Sequence, residues 1–228
     1  MRAKISLPIL FALALAGLFL GAAPGSADQA VELPDPALAP PSSKTSGQQT
    51  AVFAGGCFWG VQAVFQHVNG VISATSGYSG GDAGSAHYEI VSEGHSGHAE
   101  AVRVVYDPAK ISYGQLLKVF FSVAHDPTQL NRQGPDSGTQ YRSAIFTTSP
   151  EQEKTARAYV AQLDRAKAFP ARIVTQINPL NAFYRAEDYH QDYLRLHPDQ
   201  PYIVFNDLPK LAQLKRQFPG LYRPPAAN

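Results

Sequence analysis

Ala51-Val52-Phe53-Ala54-Gly55-Gly56-Cys57-Phe58-Trp59-Gly60-Val61-Gln62-Ala63-Val64-Phe65-Gln66-His67-Val68 changes its periodicity in the middle. Ala51 to Ala54 is a short apolar run of strand length that stops at a glycine pair, and Phe58, Val61, Phe65 and Val68 then recur at helical spacing. Strand therefore turns into helix at Cys57. Farther along, Ala99 to Tyr106 alternates, with Glu100, Val102, Val104 and Tyr106 on one face and Ala101, Arg103 and Val105 on the other. Ser112 and Gln115 form a capping box ahead of Leu116, Leu117, Phe120 and Phe121. Ser149, Pro150 and Gln152 open a second helix, with Ala156, Tyr159 and Leu163 turned inward. Tyr141 to Thr147 and Arg172 to Ile177 read as further strands, Ala186 to Leu196 as an aromatic-rich helix, and Leu208 to Gln217 as a last helix. No internal repeat is visible, and one α+β domain from Thr50 to Tyr222 accommodates all of these elements. Between Phe121 and Tyr141 a stretch from His125 to Gln140, rich in Pro, Gly, Asp and Asn, is long for a plain connection, which marks it as functional.

The chain of 228 residues is 44% hydrophobic and 16% charged, enough for one ordinary core and far from a disordered composition. Lys+Arg 19 against Asp+Glu 18 leaves a net charge of +1, so no basic field points to nucleic acid as a partner. Nothing in the sequence calls for an oligomer, and a monomer is expected. Arg2 and Lys4 ahead of an apolar run from Ile5 to Leu20, then Gly25-Ser26-Ala27, have the order of a secretory signal cleaved after residue 27. A periplasmic or secreted location and no stable membrane anchor after cleavage are expected. Residues 28–49, rich in Pro, Ser and Ala without a hydrophobic period, are expected to be a flexible tether, and 223–228 a short C-terminal tail.

Cys57 is the only cysteine, which excludes an intramolecular disulfide framework and a cysteine-rich zinc module. At a helix start it meets the positive end of the macrodipole and unpaired backbone N–H groups, which favour thiolate, while Gly55 and Gly56 allow close approach of the backbone. Phe58 and the single tryptophan, Trp59, follow directly. They could wall a pocket suited to a methyl or thioether group, although Phe58 alone could be core. The glycine pair lacks the Lys and Ser/Thr of a nucleoside triphosphate site. His95, His98 and Glu100 resemble a ligand spacing, yet His95 sits in a Gly/Ser turn and no third strong ligand accompanies them, so no metal is expected. His190, Tyr189 and Tyr193 fit structural roles. Glu100 shares an apolar strand face, so desolvation should keep its carboxyl neutral and able to donate a proton.

Gly56-Cys57-Phe58-Trp59-Gly60 resembles the signature of the peptide-methionine (S)-S-oxide reductases, the A class of methionine sulfoxide reductases. Gly77-Tyr78-Ser79-Gly80-Gly81, Tyr88, Gly97-His98-Ala99-Glu100-Ala101-Val102, Tyr106-Asp107-Pro108, His125-Asp126-Pro127, Asp136, Gly138-Thr139-Gln140-Tyr141-Arg142-Ser143 and Glu187-Asp188-Tyr189-His190-Gln191 follow in that family's order. The resemblance covers residues 50 to 220. It implies a two-layer α+β sandwich, a mixed sheet with packed helices and a ferredoxin-like core, that reduces the S epimer of methionine sulfoxide. It also implies that Cys57 attacks the sulfoxide sulfur, that Glu100 protonates the oxygen, and that Tyr88 and Tyr141 hydrogen-bond it. Phe58 and Trp59 would hold the methyl group, and Asp136 would contribute substrate or water contacts. Many members carry further cysteines near the C-terminus to resolve the oxidised cysteine. Here Pro201-Tyr202-Ile203-Val204-Phe205 through Tyr222-Arg223-Pro224-Pro225 has none, so an external thiol, from a thioredoxin-like protein or a small molecule, is the expected reductant, with no bound cofactor. A one-cysteine thiol peroxidase and a sulfoxide-peptide binding module are the competing functions.

Overall fold

The computed structural model describes residues 32–38 and 47–224; the expected signal segment lies outside them. The elements in chain order are β1 (Gln49–Gly55), α1 (Phe58–Gln66), β2 (Val71–Ser79), α2 (Tyr88–Val91), β3 (Ala99–Tyr106) and α3 (Tyr113–Val119). They continue with β4 (Arg132–Gln133), β5 (Asp136–Ser137), β6 (Ser143–Thr147), α4 (Pro150–Arg165), β7 (Gln176–Pro179), β8 (Tyr184–Arg185), α5 (Tyr193–Leu196) and α6 (Leu208–Gln217). One six-stranded sheet has the order β7-β6-β1-β3-β2-β8, antiparallel throughout except for the β6–β7 pair. Its inner four strands, β6-β1-β3-β2, joined along the chain as β1-α1-β2-β3-α3-β6, are the split βαβ arrangement of a ferredoxin-like core.

The two faces of the sheet divide the hydrophobic residues by strand parity. Phe53, Val102, Val104 and Tyr106 face the helices and join Val61, Phe65, Leu116, Leu117, Phe120 and Tyr159 in the main core. Val52, Ala54, Ala99, Ala101, Ala144 and Phe146 point the other way and are covered by Leu180 and Phe183. Because both faces are covered, β1 reads as a continuous apolar run rather than an alternation. Arg103 lies on the second face, 5.0 Å from the Phe183 ring centroid and away from Glu100. The Ser112–Gln115 capping box closes as expected, with Ser112 Oγ accepting from the Gln115 amide at 3.2 Å and Gln115 Oε1 accepting from the Ser112 amide at 2.9 Å. Ser149 Oγ accepts from the Gln152 amide at 3.2 Å and starts α4.

Several elements differ from the sequence reading. Val71–Ser79 carries no clean alternation, yet it forms β2; a register irregularity between Val71 and Ser73 shifts its parity. Gly77 is required there because a side chain would strike the Phe183 ring and the Tyr184 carbonyl. The expected helix Ala186–Leu196 divides into a 3-10 turn, Asp188–His190, and the one-turn α5. Asp192 between them has φ 55, and the Gln191 side chain is committed to Ser76 and Ala186 on the sheet side. The strand expected from Arg172 begins only at Gln176, and Tyr141 ends a 3-10 turn before β6 starts at Ser143.

Residues 32–38 of the expected tether pack on the domain, and its last residue, Gln49, opens β1. Leu33 is 2% exposed within the main core, the Pro34 carbonyl accepts from the Tyr159 hydroxyl at 2.8 Å, and Asp35 pairs with Lys118 at 2.7 Å. One leucine in a segment without periodicity has found a hydrophobic seat. In the expected tail, Arg223 donates from its amide to the His67 carbonyl at 2.8 Å. Leu33→Ala should therefore lower unfolding free energy by about 2–4 kcal/mol, as for other buried leucines. A urea titration showing less than 0.5 kcal/mol (roughly the surface-substitution level) would return this segment to the status of a tether.

Candidate active site

Cys57 is the N-cap residue of α1 and is 8% exposed, a free thiol beneath the surface. Two glycines let the chain turn there. Gly56 has φ +86, and a Cβ on it would lie 2.5 Å from the Gln133 side chain, while one on Gly55 would lie 3.0 Å from His125 Cγ. The His125 ring is wedged between the Phe120 carbonyl, at 3.1 Å, and Ser143 Oγ, at 2.7 Å. Burial lowers its pKa to about 4, so it stays neutral and structural.

Glu100, the second residue of β3 and opposite Tyr78 of β2, is 3% exposed, and its Oε2 accepts the Phe58 amide at 2.9 Å. Burial raises its pKa to about 8; the Phe58 hydrogen bond pulls the other way, and Asp136 adds to the rise. The carboxyl expected from the apolar strand face to be neutral is thus neutral at pH 7. The thiolate expectation for Cys57 is reversed. Burial, followed by the charges of Glu100 and Asp207, pushes the thiol well above its ordinary value against the Trp59 backbone N–H and Lys210. Desolvation outweighs the helix end because the field of a nine-residue helix start acts on a sulfur that has lost its water.

Tyr88 opens α2 and Tyr141 closes the 3-10 turn before β6, and both hydroxyls are held up by burial and by the charges of Glu100, Cys57 and Asp136. The five residues that the sequence assigns to polar chemistry therefore share one neighbourhood. Asp136, on β5 of the His125–Gln140 stretch, accepts a hydrogen bond from the Tyr202 hydroxyl. Trp59 is fixed on three sides: it stacks on Tyr193 at 3.7 Å and 6°, meets Tyr202 edge-on at 5.8 Å, and donates from Nε1 to His190 Nδ1 at 3.2 Å. Phe58, 1% exposed, lies behind it in the main core, 5.0 Å from the His190 ring. Trp59 is thus the open wall and Phe58 the back wall.

Glu187 and Tyr202 are supports that escaped the sequence reading, and His190 takes the structural role expected of it. Glu187 accepts both the Tyr88 amide, at 3.0 Å, and the Tyr78 hydroxyl, at 2.8 Å, and so seats the start of α2. Tyr202 follows Pro201 in the stretch that the sequence marks only for lacking cysteine. His190 accepts from Trp59, so its proton sits on Nε2, 4.0 Å from Glu187. His98, once a ligand candidate, has its ring nitrogens occupied by the Gly81 amide, at 3.2 Å, and the Asp82 carbonyl, at 3.0 Å.

The family model for peptide methionine sulfoxide reductase matches residues 49–220. The chain belongs to the peptide methionine sulfoxide reductase family. It is 62% identical over 176 residues, 77% of this chain and 90% of the relative, to peptide methionine sulfoxide reductase MsrA 2 of Mesorhizobium japonicum. It is 53% identical over 188 residues, 82% of this chain and 88% of the relative, to MsrA 2 of Synechocystis. Among solved structures, methionine sulfoxide reductase A of Corynebacterium diphtheriae matches with TM-score 0.58 and 38% identity, over 68% of this chain and 77% of that one. Reduced Mxr1 of Saccharomyces cerevisiae matches with TM-score 0.60 and 32% identity, over 68% and 89%. The chain is accordingly an oxidoreductase of methionine sulfoxide, with the α+β fold of its relatives.

In this reductase the raised Glu100 carboxyl has a consequence for stability. Its folded-state pKa, about 8, exceeds the ordinary 4.5, so the folded protein holds a proton that the unfolded chain has released between these values. That contribution is complete below pH 4.5 and is lost as pH rises through 8. Glu100→Gln should therefore lose less thermal stability than wild type between pH 6 and about 9. Parallel melting curves for the two proteins over that window would show that Glu100 is ionised throughout.

Proposed function

We propose that this reductase acts on the S epimer of methionine sulfoxide, free or in oxidised proteins and peptides, with Cys57 as nucleophile and Glu100 as acid. The observation that carries this reading is the buried, neutral Glu100 whose carboxyl meets the first amide of the helix that Cys57 caps. A sulfoxide oxygen leaves poorly as an oxyanion, and a carboxylic acid beside it supplies the missing proton. Cys57 attacks the sulfoxide sulfur while Glu100 protonates the oxygen, and Tyr88 and Tyr141 donate hydrogen bonds to it. The net step gives methionine and a Cys57 sulfenic acid: the substrate sulfur gains two electrons, the cysteine sulfur loses them, and the oxygen changes sulfur. The S-methyl group rests against Trp59, with Phe58 behind, and Asp136 holds Tyr202 at the edge of the site.

The buried thiol fits this chemistry. A cysteine kept protonated at rest is poorly reactive toward passing oxidants, and its proton is available in the site when a sulfoxide arrives. No second cysteine exists in these 228 residues, so regeneration uses an external thiol from a thioredoxin-like protein or a small molecule. One thiol displaces water from the sulfenic acid to form a mixed disulfide, and a second releases Cys57 as a thiol. The enzyme works as a monomer with no bound cofactor.

Single-turnover reduction of a blocked peptide sulfoxide tests the assignment without the external reductant. Cys57→Ser should abolish it, and Glu100→Gln should slow it by about 10²–10⁴, the usual range for a general acid. The wild-type rate should carry a falling alkaline limb near pH 8, from ionisation of Glu100, that Glu100→Gln lacks. Chiral chromatography of a racemic sulfoxide after exhaustive treatment should leave the R epimer. Equal loss of both epimers, or full activity in Cys57→Ser, refutes the mechanism.

Export is the second part of the proposal, supported by Arg2, Lys4, the apolar run and Gly25-Ser26-Ala27. Met1 is the single methionine, so cleavage would leave a methionine-free enzyme that cannot suffer the lesion it repairs. N-terminal sequencing of the protein from the extracytoplasmic fraction should begin near Asp28; a cytoplasmic protein retaining Met1 would contradict export.

A further inference from the structure

Gly60 sits in the first turn of α1, where its helical backbone does not demand a glycine, yet any Cβ there would overlap Asp207 Oδ1 and lie 2.7 Å from Lys210 Nζ. Asp207 ends the turn Ile203–Asp207 that leads into α6, is 1% exposed, and keeps Lys210 at 3.1 Å from Oδ1. Its Oδ2 is buried without a hydrogen-bond partner. A carboxylate placed so deliberately against a bare helix turn, with one oxygen unsatisfied, has a cost that packing does not return.

We propose that Asp207, seated on Gly60 and steadied by Lys210, is a positioning residue for the reaction, one whose carboxyl, set against the first turn of α1, adds to the burial that opposes ionisation of Cys57 in the free enzyme. The field of a helix start stabilises one anion well and a second poorly. Asp207 lies against that turn, so ionising Cys57 sets two negative charges against one turn of helix. The other groups acting on Cys57 are Glu100 from β3 and the Lys210 ammonium, while Tyr88, Tyr141 and Tyr202 sit around it as neutral hydroxyls. Glu100 is uncharged at pH 7, and the remaining acidic and basic side chains around the site are Asp207, Lys210 and Asp136, the last bonded to Tyr202. Burial pushes the Asp207 carboxyl above its ordinary value, with Asp136 adding to the rise, and the Lys210 ammonium 3.1 Å away opposes both. The inference rests on Cys57 being the nucleophile.

The test is the pH dependence of Cys57 alkylation by iodoacetamide from pH 6 to 10, in wild type and Asp207→Asn, each checked by melting temperature. Neutralising the carboxylate at nearly constant shape should move the alkylation profile down by about one pH unit. At pH 7 alkylation should rise about three- to fivefold, because the lower nucleophilicity of a more acidic thiol offsets part of a tenfold gain in thiolate. Glu153→Gln, which removes an exposed acid on α4, should leave the profile in place. If the amide is not tolerated, Asp207→Ser removes the same charge and leaves room for water. A folded neutral variant with an unmoved or upward-shifted profile overturns the proposal, as does an equal shift in Glu153→Gln, which would mean a general field rather than a local one. Alkylation involves no sulfoxide, so failure here leaves the reductase mechanism standing, and failure of the epimer and Cys57→Ser experiments leaves this result readable.

Discussion

The hydrogen bond from the Phe58 amide to Glu100 Oε2, 2.9 Å long, ties the first turn of α1 to the start of β3, and the site is arranged around it. An amide at a helix start has no partner within its helix, and a buried carboxyl needs one; each satisfies the other. Glu100 reaches that amide because β3 lies between β1 and β2 in the sheet, so a residue facing the helix layer sits beneath the turn that leaves β1. The ferredoxin-like order thus places an acid from one strand against a cysteine from the end of its neighbour, across 43 residues of sequence (100 minus 57).

Burial then decides the charge states. A helix start favours an anion by roughly 0.3–1 kcal/mol at exposed sites, whereas removing a charged group from water shifts its pKa by up to 3–5 units, about 4–7 kcal/mol. For Cys57 and Glu100 the larger effect wins in both, and each group rests neutral at pH 7. A neutral acid and a neutral thiol side by side avoid the repulsion of two anions sharing one low-dielectric site. Tyr88 and Tyr141 are pushed toward their protonated forms by the same cause, burial, which keeps both hydroxyls as donors at neutral pH.

The parts of this arrangement that were legible in the sequence are those encoded by local pattern. The strand-to-helix change at Cys57, the capping box at Ser112 and the face shared by Glu100, Val102 and Val104 each depend on residues within a few positions of one another, and each is present. The polarity of Glu100 followed from its strand face alone. Features set by distant partners were not legible: β2 exists because β3 and β8 pair with it, and the helix expected at Ala186–Leu196 is broken by what Gln191 finds on β2. The thiolate expectation failed for the same reason, since helix position is a local property and depth of burial is not. Leu33 shows the converse, a residue in a patternless stretch made structural by a site elsewhere on the fold.

The segment Tyr202–Asp207 brings these constraints together. Tyr202 donates to Asp136 and contacts Trp59, Ile203 is fully buried, and Asp207 is lodged against Gly60. Three anchors in six residues, on both sides of Cys57's neighbourhood, leave the segment no slack to swing toward the sulfur; only Val204 and Phe205, 40% and 77% exposed, face outward. A stretch held in this way serves as a wall of the site, because its contacts with Asp136 and Trp59, with the core and with Gly60 are made together within one short segment.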